Sequence, residues 1–315
     1  MGLIMAKNII KSVVKDFLFD VSVSLKESTC STYYTQIHNH IIPYFQHISD
    51  IDNTTIKKFT KEKLENGRLD KKSGLSAKMV CALTILLVQL IQYGQKQGCI
   101  NKFEIDVVLP QISEKPLEIL NLDEQNRLVR YLYFNLDVSN IGVLIALYTG
   151  IRIGELCALK WQDIDLESET IKITKTIQRI KNTDKKAETK TKVVIDTPKS
   201  KKSVRNIPIP DFLLKILKTY QNIPDIYVLS GKTKYIEPRT YQNRFEKYLE
   251  KAKVERIPFH ALRHTFATRS IESGMDIKTL SELLGHSSVK FTLDRYVHSS
   301  FELKKLSINK LPFCC

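Results

Sequence analysis

Two prolines in DVVLPQISEKPLEIL divide the chain into parts that cannot share one architecture. Pro110 and Pro116 flank a short polar stretch. Each lacks an amide donor and biases the residue before it away from helix. Before this break the sequence carries helical patterning only. The segments are 7–20, STCSTYYTQIHNHIIPYF (28–45), NTTIKKFTKEKLEN (53–66) and SAKMVCALTILLVQLIQYGQKQG (76–98). Ser28 or Ser31, Asn53 and Ser76 are suitable N-caps, and Gly67 and Gly98 are suitable stops. Helices of this length can form a small bundle.

After the break the pattern is mixed. NLDEQNRLVRYLYF opens a helix that Asn121 can cap, NIGVLIALYTG is an apolar helix ending at Gly150, and RIGELCALKWQDID reads as another. ETIKITKTIQRI alternates apolar and polar residues and is rich in β-branched side chains, so it reads as a strand. KVVIDTP and SVRNIPIP are two more, joined by the basic turn KSKK, and KNTDKKAETKT is a polar loop. From DFLLKILKTY onward the chain is helical again. The pattern predicts a mainly α protein with a small antiparallel β-sheet. Its parts are a helical domain over 1–110, a linker over 111–120, an α+β domain over 121–300 and a tail over 301–315. The tail carries Phe301, Leu303, Leu306 and Ile308 at helical spacing.

Charge narrows the partners. The net charge is +15, and from Lys172 to Arg205 there are 12 Lys and Arg against 3 acids. A basic protein of this size usually meets a polyanion, most often nucleic acid; the bland alternative is a solvated basic surface. No run reaches the roughly 18 uninterrupted apolar residues that span a bilayer, and MVCALTILLVQLIQYG is broken by Gln89 and Gln92, as a buried helix would be. MGLIMAKNIIKS has too short an apolar core for a signal peptide. A cytoplasmic protein without a membrane partner is expected. The six cysteines form no C-x-x-C pair, which argues against a disulfide framework or zinc ribbon.

The chemistry concentrates in FHALRHTFATRS. On a helix His260, Arg263 and His264 fall at i, i+3 and i+4 and share one face. Protonated together they repel, so the cluster meets either a metal or an anion. A zinc helix of the H-E-x-x-H type needs a glutamate where Ala261 stands, and Arg263 would face the metal. No metal is therefore expected. A phosphate uses the same groups well: Arg263 offers a planar fork of donors and His260 another. In LYTGIRIGEL, Arg152 follows a glycine turn at a helix start, with Glu155 one turn on to orient it. Alone, that pair would read as a surface ion pair. Trp161 reads as core.

In order and spacing these motifs resemble the tyrosine recombinases, also called the phage integrase family. TGIRIGEL is similar to the family's first arginine motif and HALRH to its H-x-x-R motif. LLGH is similar to the second histidine box and TLDRYVH to the nucleophile segment. The separations match too, with 23 residues from Arg263 to His286 and 10 more to Tyr296. The resemblance covers 115–300 strongly. The helical region is similar, more weakly, to the family's SAM-like core-binding domain.

The resemblance implies that Tyr296 attacks a DNA phosphodiester, giving a 3′-phosphotyrosine and a free 5′-hydroxyl. Arg152 and Arg263 would grip the nonbridging oxygens. His260 would act as general base or phosphate donor, His286 would complete the phosphate contacts, and Glu155 and His264 would support. A lysine on the turn TPKSKKSVRNIPI would protonate the leaving oxygen, with Lys199 chosen over its rivals Lys201 and Lys202. No cofactor is implied. The implied partner is double-stranded DNA with paired half-sites, bound by a homotetramer or a hetero-tetramer with a related recombinase. An accessory DNA-bending or directionality protein is compatible with this scheme. Thr32, Tyr33, Lys71, Lys72 and Lys78 of the helical domain, with Lys201 and Lys202, are candidate DNA contacts. The tail would dock on a neighbouring subunit.

The layout, with about six residues before the first helix, is similar to Xer-type recombinases and some invertases. The KNTDKKAETKT loop and the basic turn look more like integrases of mobile elements. Integration, inversion and dimer resolution all stay open. So do a relaxing topoisomerase of the tyrosine type and a non-catalytic DNA-binding regulator on the same fold.

Overall fold

The computed structural model describes residues 9–46, 48, 50–113, 116–183, 187–197, 204–296 and 308–309. Their contacts gather into two compact units. One takes the described residues of Met1–Lys115 and Ile180–Lys192; the other takes those of Pro116–Arg179 and Val193–Cys315.

The first unit is helical: α1 (Ile9–Ser24), α2 (Glu27–Gln36), α3 (Ile42–Phe45), α4 (Asn53–Asn66) and α5 (Ala77–Lys96). The expected single helix over 28–45 is helical throughout but widens into a π-turn at Ile37–Ile41. Pro43 lies in the first turn of α3, and a proline inside an α-helix removes one bond and clashes with the carbonyl four residues back. The wider turn absorbs that conflict.

Two expected caps are corrected. Asp52, not Asn53, caps α4: Thr55 N donates to Asp52 Oδ1 at 2.7 Å and Asp52 N donates to Thr55 Oγ1 at 2.8 Å. Asn53 instead donates to Glu104 O and accepts from Asp106 N, tying down the chain after α5. Neither Ser28 nor Ser31 caps α2, whose N-cap is Lys26. Ser31 is buried and donates to Lys181 O. Helix α5 is long and apolar enough to cross a membrane. Here its Leu83, Leu87 and Leu90 are fully buried against Ile37, Ile41 and Phe59.

The second unit begins with α6 (Leu122–Phe134), capped as expected by Asn121 in a reciprocal box with Glu124. Then come α7 (Ile141–Thr149), α8 (Ile153–Ala158), β1 (Ile164–Asp165), β2 (Thr170–Ile173), β3 (Thr176–Lys181), β4 (Thr191–Asp196) and β5 (Arg205–Pro208). Helices α9 (Asp211–Tyr220), α10 (Pro238–Lys251), α11 (His260–Glu272), α12 (Ile277–Leu284) and α13 (Val289–Tyr296) complete it. Strands β1, β2 and β5 form an antiparallel sheet in that order, with Ile171 opposite Ile207 and Ile173 opposite Arg205. Strands β3 and β4 form a separate two-stranded sheet, and the end of β3 (180–181) and start of β4 (191–192) are grouped with the first unit.

Two element expectations change. RIGELCALKWQDID is helical only to Ala158, because Val228 N donates to Leu159 O and Trp161 N donates to Ile226 O. That pairing pulls the chain extended, and only a 3-10 turn at Trp161–Asp163 follows. ETIKITKTIQRI is two strands, not one: β2 pairs with β5 only as far as Ile173, and β3 joins β4. The alternation hides this break, since Ile171, Ile173 and Ile177 are all buried in one core. Trp161 belongs to that core, and α11 packs along α7.

Candidate active site

Two helix ends build the site. Helix α7 stops at Gly150, which takes the left-handed conformation at φ 64°. A β-carbon there would lie 2.6 Å from Phe266 Cδ1 and 2.8 Å from Leu284 Cδ2, so only glycine fits the turn. Helix α12 stops in the same way at Gly285, φ 62°. These caps leave carbonyls at two helix C-termini, where partial negative charge gathers. Arg263 takes both: Nη1 donates to Gly150 O at 2.7 Å and Nη2 to Leu284 O at 2.6 Å. Its side chain is fully buried.

The Gly150 turn also delivers Arg152 to the N-cap of α8. Arg152 Nη1 donates to Glu155 Oε1 at 2.9 Å and its backbone N donates to Oε2 at 3.0 Å. Glu155 is buried and also receives Arg205, through Nη1 at 3.2 Å and Nη2 at 2.9 Å. Burial alone would raise the Glu155 carboxyl; the hydrogen bonds and charge of Arg205, then the charge of Arg152, outweigh it and hold the group below its usual range.

Three histidines line the cluster, all pushed toward the neutral form. For His260 the cause is first lost hydration, then the charges of Arg263, Arg152 and Arg295, taking it to about 4 although the residue still reaches solvent. Its ring meets that of His264 edge-on at 4.6 Å. Burial, then His260 and the arginines, take His264 to about 4. Burial, then Arg263, Arg152 and Arg205, take His286 to about 3. His286 Nδ1 lies 2.8 Å from Thr292 Oγ1, and its ring stacks parallel to that of Tyr296.

Tyr296 closes α13 with its ring buried beside Ala267, Leu280 and Leu284. Its hydroxyl lies 2.8 Å from His264 Nδ1. In the tautomer that carries its proton on Nε2, Nδ1 accepts and the hydroxyl donates. Burial raises the phenol above its usual value, while Arg263, Arg295 and Arg152 pull the other way. Burial prevails.

Arg152, Glu155, His260, Arg263, His264, His286 and Tyr296 therefore meet in one unit. Lys199, Lys201 and Lys202 lie outside the described residues, as do Phe301, Leu303 and Leu306 of the tail; Ile308 is exposed. In the helical unit Thr32, Lys71, Lys72 and Lys78 are exposed. Tyr33 is half-buried, stacked on Phe17 at 6.4 Å. Sequence reasoning missed Arg205 and Thr292. Arg205 did leave a signal: it occupies an inward position of an alternating strand, in phase with the buried Ile207 and Ile209. Thr292 left none. Among the described residues, no group of three or more His, Cys, Asp and Glu is placed to hold a metal ion.

Comparison with known proteins agrees with this geometry. Residues 118–302 match the phage integrase family and residues 9–64 match the phage integrase N-terminal SAM-like domain. A tyrosine recombinase XerC-like protein of Caldanaerobacter subterraneus is 30% identical over 90% of this chain and 77% of its own. The ICEBs1 integrase of Bacillus subtilis is 25% identical over 87% of this chain and 75% of its own. Among solved structures, the Tn1549 transposon integrase in complex with a circular intermediate DNA has the same fold. Its TM-score is 0.71 at 21% identity, over 96% of this chain and 99% of that one. Lambda integrase bound to DNA follows at TM-score 0.60 and 16% identity, over 97% and 99%. A helical SAM-like unit and, in the same chain, a unit with an arginine–histidine–tyrosine cluster define an enzyme class that recombines DNA at specific sites. The chain belongs to the phage integrase family, the tyrosine recombinases.

Proposed function

We propose that Tyr296 is the nucleophile that cuts and rejoins double-stranded DNA. Its oxygen attacks the scissile phosphorus, the bond from phosphorus to the 5′-oxygen breaks, and a 3′-phosphotyrosine forms. The phenol proton passes to His264. The carrying observation is the 2.8 Å approach of the Tyr296 hydroxyl to that histidine, with the positive charges of Arg263, Arg295 and Arg152 acting on the tyrosine. This geometry favours His264 over His260 as base, and leaves His260 to donate to the phosphate. Arg152 and Arg263 hold the nonbridging oxygens, where loss of one such donor costs on the order of 100- to 1000-fold. His286, with Nδ1 engaged by Thr292, turns Nε2 to the phosphate. Lys199 protonates the departing 5′-oxygen, with Lys201 and Lys202 as alternatives. Rejoining reverses each step and spends no nucleotide, since the phosphotyrosine keeps the energy of the broken bond.

The helical unit supplies further phosphate contacts from Thr32, Lys71, Lys72 and Lys78. The DNA carries paired half-sites, four protomers assemble on it through their C-terminal tails, and the reaction takes place in the cytoplasm. Integration and excision of a mobile element is the role most in keeping with the relatives, which include the ICEBs1 integrase and the Tn916 transposase. Nicked suicide duplexes made from the DNA flanking the gene test this reading. An SDS-stable covalent adduct formed by the wild type and absent with Tyr296→Phe is expected. An equal adduct with Tyr296→Phe would overturn the nucleophile, and an adduct on any sequence alike would restore the topoisomerase reading.

A further inference from the structure

Glu155 presents a charge problem. Paired with Arg152 alone, its carboxylate would cancel the charge that Arg152 must offer to a phosphate. The structure gives Glu155 a second and stronger partner. Arg205 reaches both carboxylate oxygens from β5, at 3.2 and 2.9 Å, and its side chain is 6% exposed. Arg152 makes one side-chain bond to Glu155 and is 37% exposed, so its guanidinium remains open on the other side. Arg205 is itself fixed by Nε, which donates to Leu283 O at 2.6 Å. That carbonyl neighbours Leu284 O, which takes Arg263. The end of α12 thus fixes Arg263 directly and Arg152 through Arg205 and Glu155.

We propose that Arg205 is a positioning residue: it neutralises Glu155, so that Glu155 can orient Arg152 without cancelling its charge for the scissile phosphate. A fork that grips both oxygens of a carboxylate does this, and lysine cannot. The inference rests on the reading that Arg152 holds the phosphate. Without Arg205, a buried carboxylate would draw Arg152 inward or take up a proton, and either change disarms the arginine.

Single-turnover cleavage of the duplex that traps the wild type tests this, with either a phosphodiester or a methylphosphonate at the scissile position. The methylphosphonate lacks the negative charge that Arg152 meets. Arg205→Gln and Arg152→Gln are each expected to cut the phosphodiester on the order of 100-fold slower. Both should cut the methylphosphonate within about tenfold of wild type, because the charge to be met is gone. Arg205→Gln with Glu155→Gln leaves no lone buried charge, so it should melt like wild type and regain most of the lost rate on the phosphodiester. Equal slowing of Arg205→Gln on both substrates would overturn the proposal and leave Arg205 a structural residue. So would a double variant that melts normally yet cuts as slowly as Arg152→Gln. If Arg152→Gln cuts the phosphodiester like wild type, the phosphate-holding reading itself falls, and this proposal with it.

Discussion

Replacing His264 by asparagine leaves a hydrogen-bonding group beside the Tyr296 hydroxyl and removes the group that can take its proton. The size of the loss follows from the phenol. Burial holds Tyr296 above the ordinary value near 10, so at pH 7 about one hydroxyl in a thousand, or fewer, is ionised. An enzyme that must wait for phenolate then loses at least about 1000-fold at pH 7, against a range of 100- to 10,000-fold for general-base assistance. The loss shrinks about tenfold for each pH unit as the phenolate fraction rises. The wild type has no such slope, because His264, held at about 4, is already neutral at pH 6 and above. Single-turnover adduct formation between pH 6 and 9.5 would show a flat wild-type profile and a rising one for His264→Asn. Two parallel profiles would refute the reasoning, since His264 would then hold the tyrosine without accepting its proton.

Gly150→Ala should destabilise the catalytic unit by about 2–5 kcal/mol. The left-handed backbone contributes about 1–2 and the forced contacts with Phe266 and Leu284 about 1–3. Denaturant unfolding that shifts by less than about 1 kcal/mol would contradict the packing at that turn. Asn121→Ala removes one half of a reciprocal cap and should cost about 1 kcal/mol in the same measurement. Acid should weaken the fold early. His286 and His264 fall from 6.5 in the unfolded chain to about 3 and about 4 in the folded one. As the pH drops below 6.5 the unfolded chain takes up protons first, so stability present above that value is lost progressively down to the folded values. Melting temperatures measured from pH 7 to 5 should fall, with a shallower slope for His286→Asn.

Much of the site was legible because its parts are short and local. A glycine cap, an arginine after it and a glutamate one turn on lie within six residues, and HALRH places three groups on a single helical face. What sequence could not show was the direction of each side chain. Arg263 spends two nitrogens on the helix-end carbonyls Gly150 O and Leu284 O, and nothing in HALRH says so. His264 rather than His260 meets Tyr296 because the arrival of α13 selects one of two rings on the same face. Arg205 escaped notice because its inward phase does not name a partner, and that partner, Glu155, lies 50 positions away. The fold misreadings share that origin. Asp52 outcompeted Asn53 once Asn53 was drawn off to the chain after α5. The strand at 169–180 broke because its halves pair with different partners.

Arg152 and Arg205 share the carboxylate of Glu155, and both, with Arg263, disfavour protonation of His286. Arg263 itself is drawn down to about 9 by burial and then by Arg152 and Arg205, which still leaves it a cation at neutral pH. Such an arrangement is costly in the free protein and gains a partner when a phosphodiester arrives. The same histidines then report the change. A unit negative charge about 5 Å away, at an effective dielectric near 20, is worth about 3 kcal/mol, or roughly 2 pKa units. His260 should therefore rise from about 4 toward the ordinary histidine range when DNA binds. Titration of its ring by NMR, in Tyr296→Phe with and without the same duplex bound uncleaved, measures the shift. A His260 that stays near its free value in the complex would mean the arginines face away from the phosphate, and that the cluster is a structural ion network and not a seat for the scissile group.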